Sequence, residues 1–386
     1  LGAALVSPSA LALITTAFAE GDARNRALGV MGAVTSGGAT AASIVGGVLT
    51  DLVHWRAIFL VNVPIGIVVA VAVTRLVGRR RPERTGRTDV AGAVLLTGGA
   101  VLVVTAVSRA EQGPGHLVGA AALAGLSLLG LFVWAERRAA DPLVKLSMFR
   151  NPQVRLGNLI CALSASAGLA VQFFCTLYLQ NLLNLSPLQT GLAFVPVTAA
   201  IVLISSRAGR LVGRFGVRRM LVGTAALSAL GLLLLAVSVA TGDGTAAGGA
   251  YWTRVLPGVV VFGVGAGLGF APAMIVATTG VRDDEQGLAS GLLNTSFQLG
   301  APLGLAALSA VSVYASHGGT GPGELAAGLR AAFLCALALP ALTMAAVLAL
   351  PASTSAGESL TDGGSVPDSS AGETRVGEAE GKAPVA

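Results

Sequence analysis

The sequence has 386 residues, of which 54% are hydrophobic and only 11% are charged, and its formal net charge is +6. A soluble protein of this length covers its surface with many more charged side chains. The composition therefore excludes an ordinary soluble protein and predicts an all-α integral membrane protein.

Apolar stretches long enough to cross a bilayer recur along the chain. A spanning helix needs about 20 mostly apolar residues, and we predict eleven such spans. The chain opens at Leu1 inside the first span with no charged residues before it, so it does not read as a signal peptide, and we expect it to be truncated at the N-terminus. In chain order the predicted spans are residues 1–19, 27–50, 57–77, 89–108, 117–136, 156–179, 190–208, 219–240, 252–278, 287–314 and 329–350.

The basic residues are concentrated on one side of the predicted membrane. Odd-numbered links between spans hold 19 Lys and Arg residues, even-numbered links hold 4, and the C-terminal tail holds 2. Because basic residues are enriched in cytoplasmic links, the odd-numbered links and the C-terminus are predicted to be cytoplasmic. The third link, RLVGRRRPERTGRTD, could instead bind nucleic acid. It lies between two spans and lacks interleaved aromatic residues, which favours topology and anionic lipid over nucleic acid.

The tail from residue 352 differs in composition from the rest of the chain. It is rich in Ser and Gly and holds six acidic and two basic residues. With almost no large apolar side chains, it is expected to be disordered. Arg outnumbers Lys 23 to 2 in the whole sequence, which together with the many Ala and Gly residues suggests a GC-rich bacterial genome and hence the bacterial plasma membrane.

The sequence offers no pattern typical of an enzyme, a cofactor site or a metal site. The cysteines lie in apolar runs without paired spacing, which indicates packing rather than a disulfide or a metal site. The histidines fall in predicted outer links, away from any nucleophile. The residues concerned are Cys161, Cys175, Cys335, His54, His116 and His317.

The stretch HWRAIFLVNVPIG, residues 54–66, places polar residues at the start of an apolar span. Trp55 and Arg56 suit the membrane–water interface. Pro64 removes a backbone donor and is predicted to kink the helix. Asn62 is predicted to satisfy freed carbonyls or to bond across helices; direct substrate contact is the alternative for both residues.

Four segments in order resemble the major facilitator superfamily, and more narrowly its fourteen-helix drug:proton antiporters of the EmrB/QacA type. GGVLTDLVHWRAIFLVNVPIG (46–66) is similar to the junction of the fifth and sixth helices. LYLQNLLNLSPLQTGLAFVPVTA (177–199) is similar to a signature of the second half. AGRLVGRFGVRR (208–219) resembles the basic loop of the superfamily, and GLASGLLNTSFQLGAPLG (287–304) resembles the penultimate helix. The resemblance covers roughly residues 1–350.

The resemblance implies a major-facilitator helical bundle with about eleven of fourteen transmembrane helices present. The missing part would be the first three helices and the start of the fourth. The expected divisions are the remainder of the N-terminal half (family helices 4–6), a basic loop with two extra linking helices and a cytoplasmic link, the C-terminal six-helix half, and the tail. These correspond to residues 1–77, 78–155, 156–350 and 351–386.

The resemblance also implies positions that control the conformational change. Small residues let half-bundles approach and rock during alternating access. Family members often carry a Gly-Pro pair where Ala42 and Ser43 stand here, and an acid where Gly213 stands, so this chain departs from both motifs. The expected conformational residues are Gly46, Gly47, Asn62, Pro64, Arg214, Gly216 and Arg218, with the arginines contacting carbonyls at helix ends.

Proton coupling needs a protonatable group at membrane depth. The 19 acidic residues fall in predicted links, at span ends or in the tail. In the family an acid of the first helix commonly contributes, and that helix is among those expected to be missing. Proton coupling is therefore predicted to depend on those N-terminal helices.

The expected substrate is a small lipophilic or cationic drug-like or natural-product molecule. Amides and aromatic rings in a wide apolar cavity suit such compounds, although each residue could instead make an interhelical hydrogen bond. A metabolite facilitator on the same fold and an inactive fragment or membrane scaffold are the alternatives. The candidate substrate-binding residues are Gln172, Phe173, Tyr178, Asn294 and Gln298.

Overall fold

The computed structural model describes most of the chain from the second predicted span to the end of the last one. The first span, the arginine-rich third link and the tail lie outside the described residues, and so does most of the second span. The described residues are 38, 42, 45–50, 52–76, 90–109, 116–138, 146–240, 251–281, 286–319 and 321–351.

The described part of the chain is helical throughout. After a helical stretch at residues 45–50, the α-helices are α1 (Ala57–Leu60), α2 (Asn62–Leu76), α3 (Val90–Arg109), α4 (His116–Glu136), α5 (Pro152–Leu177), α6 (Pro187–Ala193), α7 (Val195–Phe215), α8 (Val217–Ala240), α9 (Leu256–Thr278), α10 (Gln286–Ala315), α11 (Pro322–Ala336) and α12 (Ala338–Leu348). A 3₁₀ turn (Leu146–Arg150) precedes α5, and single π-helical turns follow α5 (Tyr178–Leu182) and precede α9 (Tyr251–Val255).

Eight helical segments among the described residues are long and apolar enough to cross a membrane, and Ala91–Ala106 is a shorter apolar helix. Together they correspond to the last nine predicted spans. The predicted total of eleven remains a prediction, because the first two spans fall wholly or mostly outside the described residues. α6 with α7, and α11 with α12, each form one span.

Two boundaries differ from the sequence prediction because charged residues lie inside helices rather than in links. The last span begins at Pro322, not at residue 329, so Glu324 is within α11. The Glu324 carboxylate accepts a hydrogen bond of 3.0 Å from the Gly321 N–H, which caps the helix start. Likewise, α7 continues to Phe215, and long arginine side chains tolerate this placement by extending their charge toward water.

The start of α5 shows how local sequence fixes a helix in the bundle. Asn151 is the N-cap, with its side-chain oxygen 2.9 Å from the Gln153 N–H. Pro152 occupies the first helical position, where its missing N–H costs no hydrogen bond. The side-chain Nδ2 of Asn151 donates to the Thr279 carbonyl at 3.1 Å. This hydrogen bond connects the start of α5 to the end of α9.

The helices from α5 to α12 pack around two main apolar clusters. The larger includes Phe174, Phe262 and Phe333, and the rings of Phe174 and Phe333 meet edge to face with centroids 6.0 Å apart. The smaller lies nearer the other end of the bundle and includes Ile160 and Val276. Apolar packing therefore extends to both sides of the middle of the bundle.

Alternate glycines of α9 bring two of its neighbours, α7 and α8, close. Gly263 and Gly267 face α7, and Gly265 and Gly269 face α8, where a Cβ on any of the four would lie within about 3 Å of an atom of the facing helix. Glycines four residues apart are the small-residue pattern that allows membrane helices to approach closely. The four glycines thus form two interleaved contact lines, one with α7 and one with α8.

The described helices before α5 are fewer than those from α5 to α12, and their residues are more exposed. The span formed by α1 and α2 has no buried residues. α3 and α4 pack against each other, and α3 also contacts α10. This contact attaches the pair of linking helices to the C-terminal bundle.

Candidate substrate cavity and conformational contacts

An apolar cavity of about 160 Å³ lies between the two clusters of the bundle. Five helices contribute to it, since α5, α8, α9, α10 and α12 all supply lining residues. The lining residues that matter most here are Ser164, Gly168, Ser228, Phe270, Phe297 and Thr343. The cavity therefore sits near the middle of the membrane-spanning segments.

The lining of the cavity is apolar with a few hydroxyl groups and includes no charged side chain. The hydroxyls of Thr224 and Thr343 each donate to the carbonyl four residues earlier in their own helix, at 3.0 Å. Those two hydroxyls are occupied by the backbone and add little polarity to the cavity. The cavity thus favours an uncharged apolar group. At this volume it holds a single ring, because pockets for whole drug-sized ligands span about 300–1,000 Å³.

Gln172 lies on the side of α5 that faces the cavity. Ser164, Gly168 and Gln172 are spaced by four residues, which places them on one helix face, and the first two line the cavity. Gln172 is exposed one turn beyond them. Phe173 is 40% exposed and its ring contacts that of Phe174.

On α10, the residue that lines the cavity is Phe297, which is not among the predicted substrate-binding residues. Phe297 is 39% exposed. Its neighbour Gln298 is exposed and Asn294 is half-buried, and neither lines the cavity. The choice of the two amides followed polarity, whereas the position on the helix face brings the aromatic ring inward.

Two tyrosines are buried in the larger cluster and bond to carbonyls of other helices. Tyr178 is 3% exposed, and its hydroxyl lies 3.4 Å from the Ser238 carbonyl oxygen. The Tyr251 hydroxyl donates to the Ala193 carbonyl at 2.7 Å. Tyr178, selected as a substrate-binding residue from sequence, is thus placed among packing residues outside the cavity lining.

A buried polar pair joins α5 to α10 beside the cavity. Asn158 is 4% exposed, and its side-chain oxygen accepts a 2.9 Å hydrogen bond from the Ser296 hydroxyl. Its amide donates to the Val154 carbonyl at 2.8 Å. Interhelical polar bonds of this kind contribute about 0.6–2 kcal/mol in membranes, so the pair fixes the register of the two helices.

Gly47, in the described stretch before α1, approaches the C-terminal bundle closely. A Cβ on Gly47 would lie 2.8 Å from the Leu188 Cα and 2.9 Å from the Pro187 carbonyl oxygen, at the start of α6. Ser186 and Gln189 cap that start reciprocally, so its backbone is held in place. A Cβ on the adjacent Gly46 would have no atom within 4 Å.

Asn62 and Pro64 lie where the span of α1 and α2 is interrupted. The helix breaks at Val61 and resumes at Asn62. The Asn62 amide donates to the Ile58 carbonyl at 3.1 Å. This acceptor is four residues earlier in the same span and is not the Leu60 carbonyl, which Pro64 leaves without its usual donor. Pro64 itself lies in the first turn of α2, where a proline is tolerated.

The link between α7 and α8 is a single residue with a backbone conformation that favours glycine. Gly216 has φ 80° and ψ 156°, and its N–H donates to the Val212 carbonyl at 2.8 Å. Arg218, two residues later, donates to the Leu348 carbonyl near the end of α12 at 3.1 Å. The Arg214 guanidinium lies over the Phe215 ring, 5.2 Å from its centroid.

We expect Gly216→Ala to destabilise the protein although there is open space around the glycine. An L-residue with φ 80° costs on the order of 1–3 kcal/mol, and the α7–α8 corner cannot relax without moving Arg218. The measurement is the unfolding midpoint in detergent. Gly213→Ala, which adds the same methyl group within α7, should leave the midpoint unchanged or raise it; equal effects of both substitutions would contradict the explanation.

Together these features define a class of protein. A multi-pass helical bundle with a cavity near its middle, and a glycine contact between its two parts, is the architecture of a membrane transporter. Residues 1–305 match the family described as the Major Facilitator Superfamily, and the chain belongs to this family. It is therefore a transporter and not an enzyme.

Several similar proteins of known name are concerned with antibiotics. The chain is 38% identical to the cephamycin export protein CmcT of Amycolatopsis lactamdurans, over 86% of this chain and 68% of that protein. It is 36% identical to the puromycin resistance protein pur8 of Streptomyces alboniger, over 90% and 70% of the two chains. It is 33% identical to the tetracenomycin C resistance and export protein of Streptomyces glaucescens, over 79% and 56%.

Proposed function

We propose that this protein exports small lipophilic natural products or drugs across the bacterial plasma membrane by alternating access. The observation that carries the proposal is its similarity to proteins named for antibiotic export or resistance, at 36–38% identity over more than two thirds of their length. The uncharged cavity in the bundle agrees with such substrates. Orientation with the C-terminus in the cytoplasm follows from the distribution of arginines.

The size of the cavity suggests that only one part of a substrate binds inside it and that the rest binds outside it. Its volume of about 160 Å³ suits one aromatic or alicyclic ring, as apolar cavities of this size hold benzene. The remainder of a larger molecule would extend past Gln172 toward the N-terminal half. Gln172 and Phe173 would then contact the more polar part of the molecule, and Phe270 and Phe297 its ring.

We further propose that the protein belongs to the fourteen-helix drug:proton antiporter branch. The pair α3 and α4, between the two halves, is consistent with the extra helices of that branch. The acidic side chains among the described residues are Glu136, the last residue of α4, and Glu324, in the first turn of α11. Proton coupling would therefore depend on acidic groups elsewhere in the full protein, such as the early helices of the family.

An efflux assay tests the proposal. Cells expressing the complete gene product would be loaded with a fluorescent lipophilic cation, and separately with puromycin, and retention would be followed with and without an uncoupler. Export predicts lower retention that the uncoupler restores. Unchanged retention of both compounds, or uptake of a sugar instead, would contradict the proposed function.

Gln172→Ala is expected to change which compounds are exported without affecting membrane insertion. The amide is exposed one turn from the cavity, so its loss removes a polar contact of about 0.5–1.5 kcal/mol. Relative export of polar and apolar test compounds should shift severalfold, as measured by their minimum inhibitory concentrations. An unchanged profile over all compounds would place Gln172 outside the substrate path.

Gly168→Leu is expected to exclude ring-bearing substrates by filling the cavity. Gly168 lines the cavity, and a Cβ there would have no atom within 4 Å, so the larger side chain fits without disturbing the helices. Export of bulky aromatic compounds should fall about tenfold or more, with normal protein levels. The matched control is Gly223→Leu on α8, which also has open space but does not line the cavity.

A further inference from the structure

Five exposed arginines lie close together in the sequence at one end of the C-terminal bundle. They occupy the last nine residues of α7 and the start of α8, and the seven residues of helix from Arg207 to Arg214 extend about 10 Å. We call this set the arginine surface, and its members are Arg207, Arg210, Arg214, Arg218 and Arg219.

The contacts seen for the arginine surface are to carbonyls and a ring. Arg207 donates to the Leu203 carbonyl at 2.7 Å, Arg218 donates to the Leu348 carbonyl, and Arg214 lies over Phe215. None of these partners carries a negative charge. The surface therefore has a capacity for anionic groups that these contacts do not use.

The same end of the bundle is where the C-terminal tail begins. The bond between Arg218 and the Leu348 carbonyl is 3.1 Å long, so the end of α12 touches the surface directly. The sequence that follows is acidic, with six carboxylates against two basic residues after residue 351. Charge and position thus make the two segments complementary.

We infer that the arginine surface binds the chain's own acidic tail. Glu358 follows Leu348 by ten residues, which reach at most about 35 Å when extended, so the first tail carboxylates can contact any of the five arginines. A tether of about ten residues gives an effective concentration in the millimolar range. That advantage favours the tail over free anions, and the bound tail would hold the α7–α8 corner against the end of α12.

A distance measurement tests the inference. The full chain, with its three cysteines replaced by alanine, would carry spin labels at Gly213→Cys and Ser365→Cys, in nanodiscs of zwitterionic phosphatidylcholine. We expect a narrow distribution of short distances at low salt that broadens at high salt, because exposed charge pairs are screened. A broad distribution already at low salt would overturn the inference.

Charge variants distinguish the tail from the other possible occupant, anionic lipid. Replacing Arg207, Arg210 and Arg219 with glutamine should broaden the distance distribution, whereas Arg330→Gln, at the opposite end of the bundle, should not. If the triple variant leaves the distances unchanged, the surface does not hold the tail. If the distances are broad in every variant while the triple variant loses affinity for phosphatidylglycerol vesicles, the occupant is lipid and the inference is wrong.

A second measurement uses the wild-type cysteines, so it does not depend on the labelled variant folding. Glutamyl endopeptidase should cut the tail of the full chain roughly fivefold faster in the triple arginine variant than in wild type at low salt. High salt should remove the difference. Equal cleavage rates at low salt would count against a bound tail.

Discussion

Gly47→Ala is expected to abolish most transport while the protein still inserts and folds. The added Cβ would lie 2.8–2.9 Å from backbone atoms of Leu188 and Pro187, and a capped helix start cannot yield as a flexible side chain can. Overpacking of this kind costs about 1–3 kcal/mol. The conformation in which residues 45–50 touch α6 would lose roughly one to two orders of magnitude in population.

Gly46→Ala is the matched control for this experiment, because the same methyl group there has no atom within 4 Å. Efflux rates should differ about tenfold or more between the two variants at equal expression. The accessibility of a cysteine introduced near Leu188 to a thiol reagent should rise in the Gly47 variant only. Similar transport by both variants would show that the contact at Gly47 does not limit the conformational cycle.

Gly300→Ala is expected to destabilise the C-terminal bundle itself. A Cβ on Gly300 would lie 2.5 Å from the Ala162 carbonyl oxygen and 2.6 Å from its Cα, so α5 and α10 must separate. The cost is about 3 kcal/mol, the upper part of the usual range for overpacking. The separation would also strain the bond between Asn158 and Ser296, and both the unfolding midpoint and export should fall.

The control lies on the same helix. Gly291→Ala adds a methyl group to an exposed position of α10 with no atom within 4 Å. It should leave stability unchanged or raise it by up to about 1 kcal/mol, because alanine favours helix more than glycine does. If both α10 variants melt alike, close packing at Gly300 is not what holds α5 and α10 together.

The helices were predictable from sequence because a bilayer imposes long apolar segments on any spanning chain. The nine predicted spans within the described part all correspond to helices. The exceptions were helix boundaries such as Pro322, where a charged residue inside the helix made the segment look like a link in the sequence. Arg218 donates to a helix-end carbonyl, and its role in the conformational change stays a prediction.

The site was less predictable because it depends on which face of each helix turns inward. Gln172 could be selected by polarity, and it does lie near the cavity. Phe297 could not, since its neighbour Gln298 is the more polar residue and one residue along a helix rotates the side chain by about 100°. The adjacent glycines 46 and 47 look equivalent in sequence, and only their packing against Leu188 distinguishes them.

The two contact lines on α9 have a consequence for how the transporter selects its cargo. Because α9 packs this closely against both α7 and α8, we expect these three helices to move as one rigid block during each cycle. Any cavity wall built from α8 and α9 then keeps the same shape whether it faces the cytoplasm or the outside. This wall of the cavity would therefore impose the same size limit on a molecule when it is loaded and when it is released.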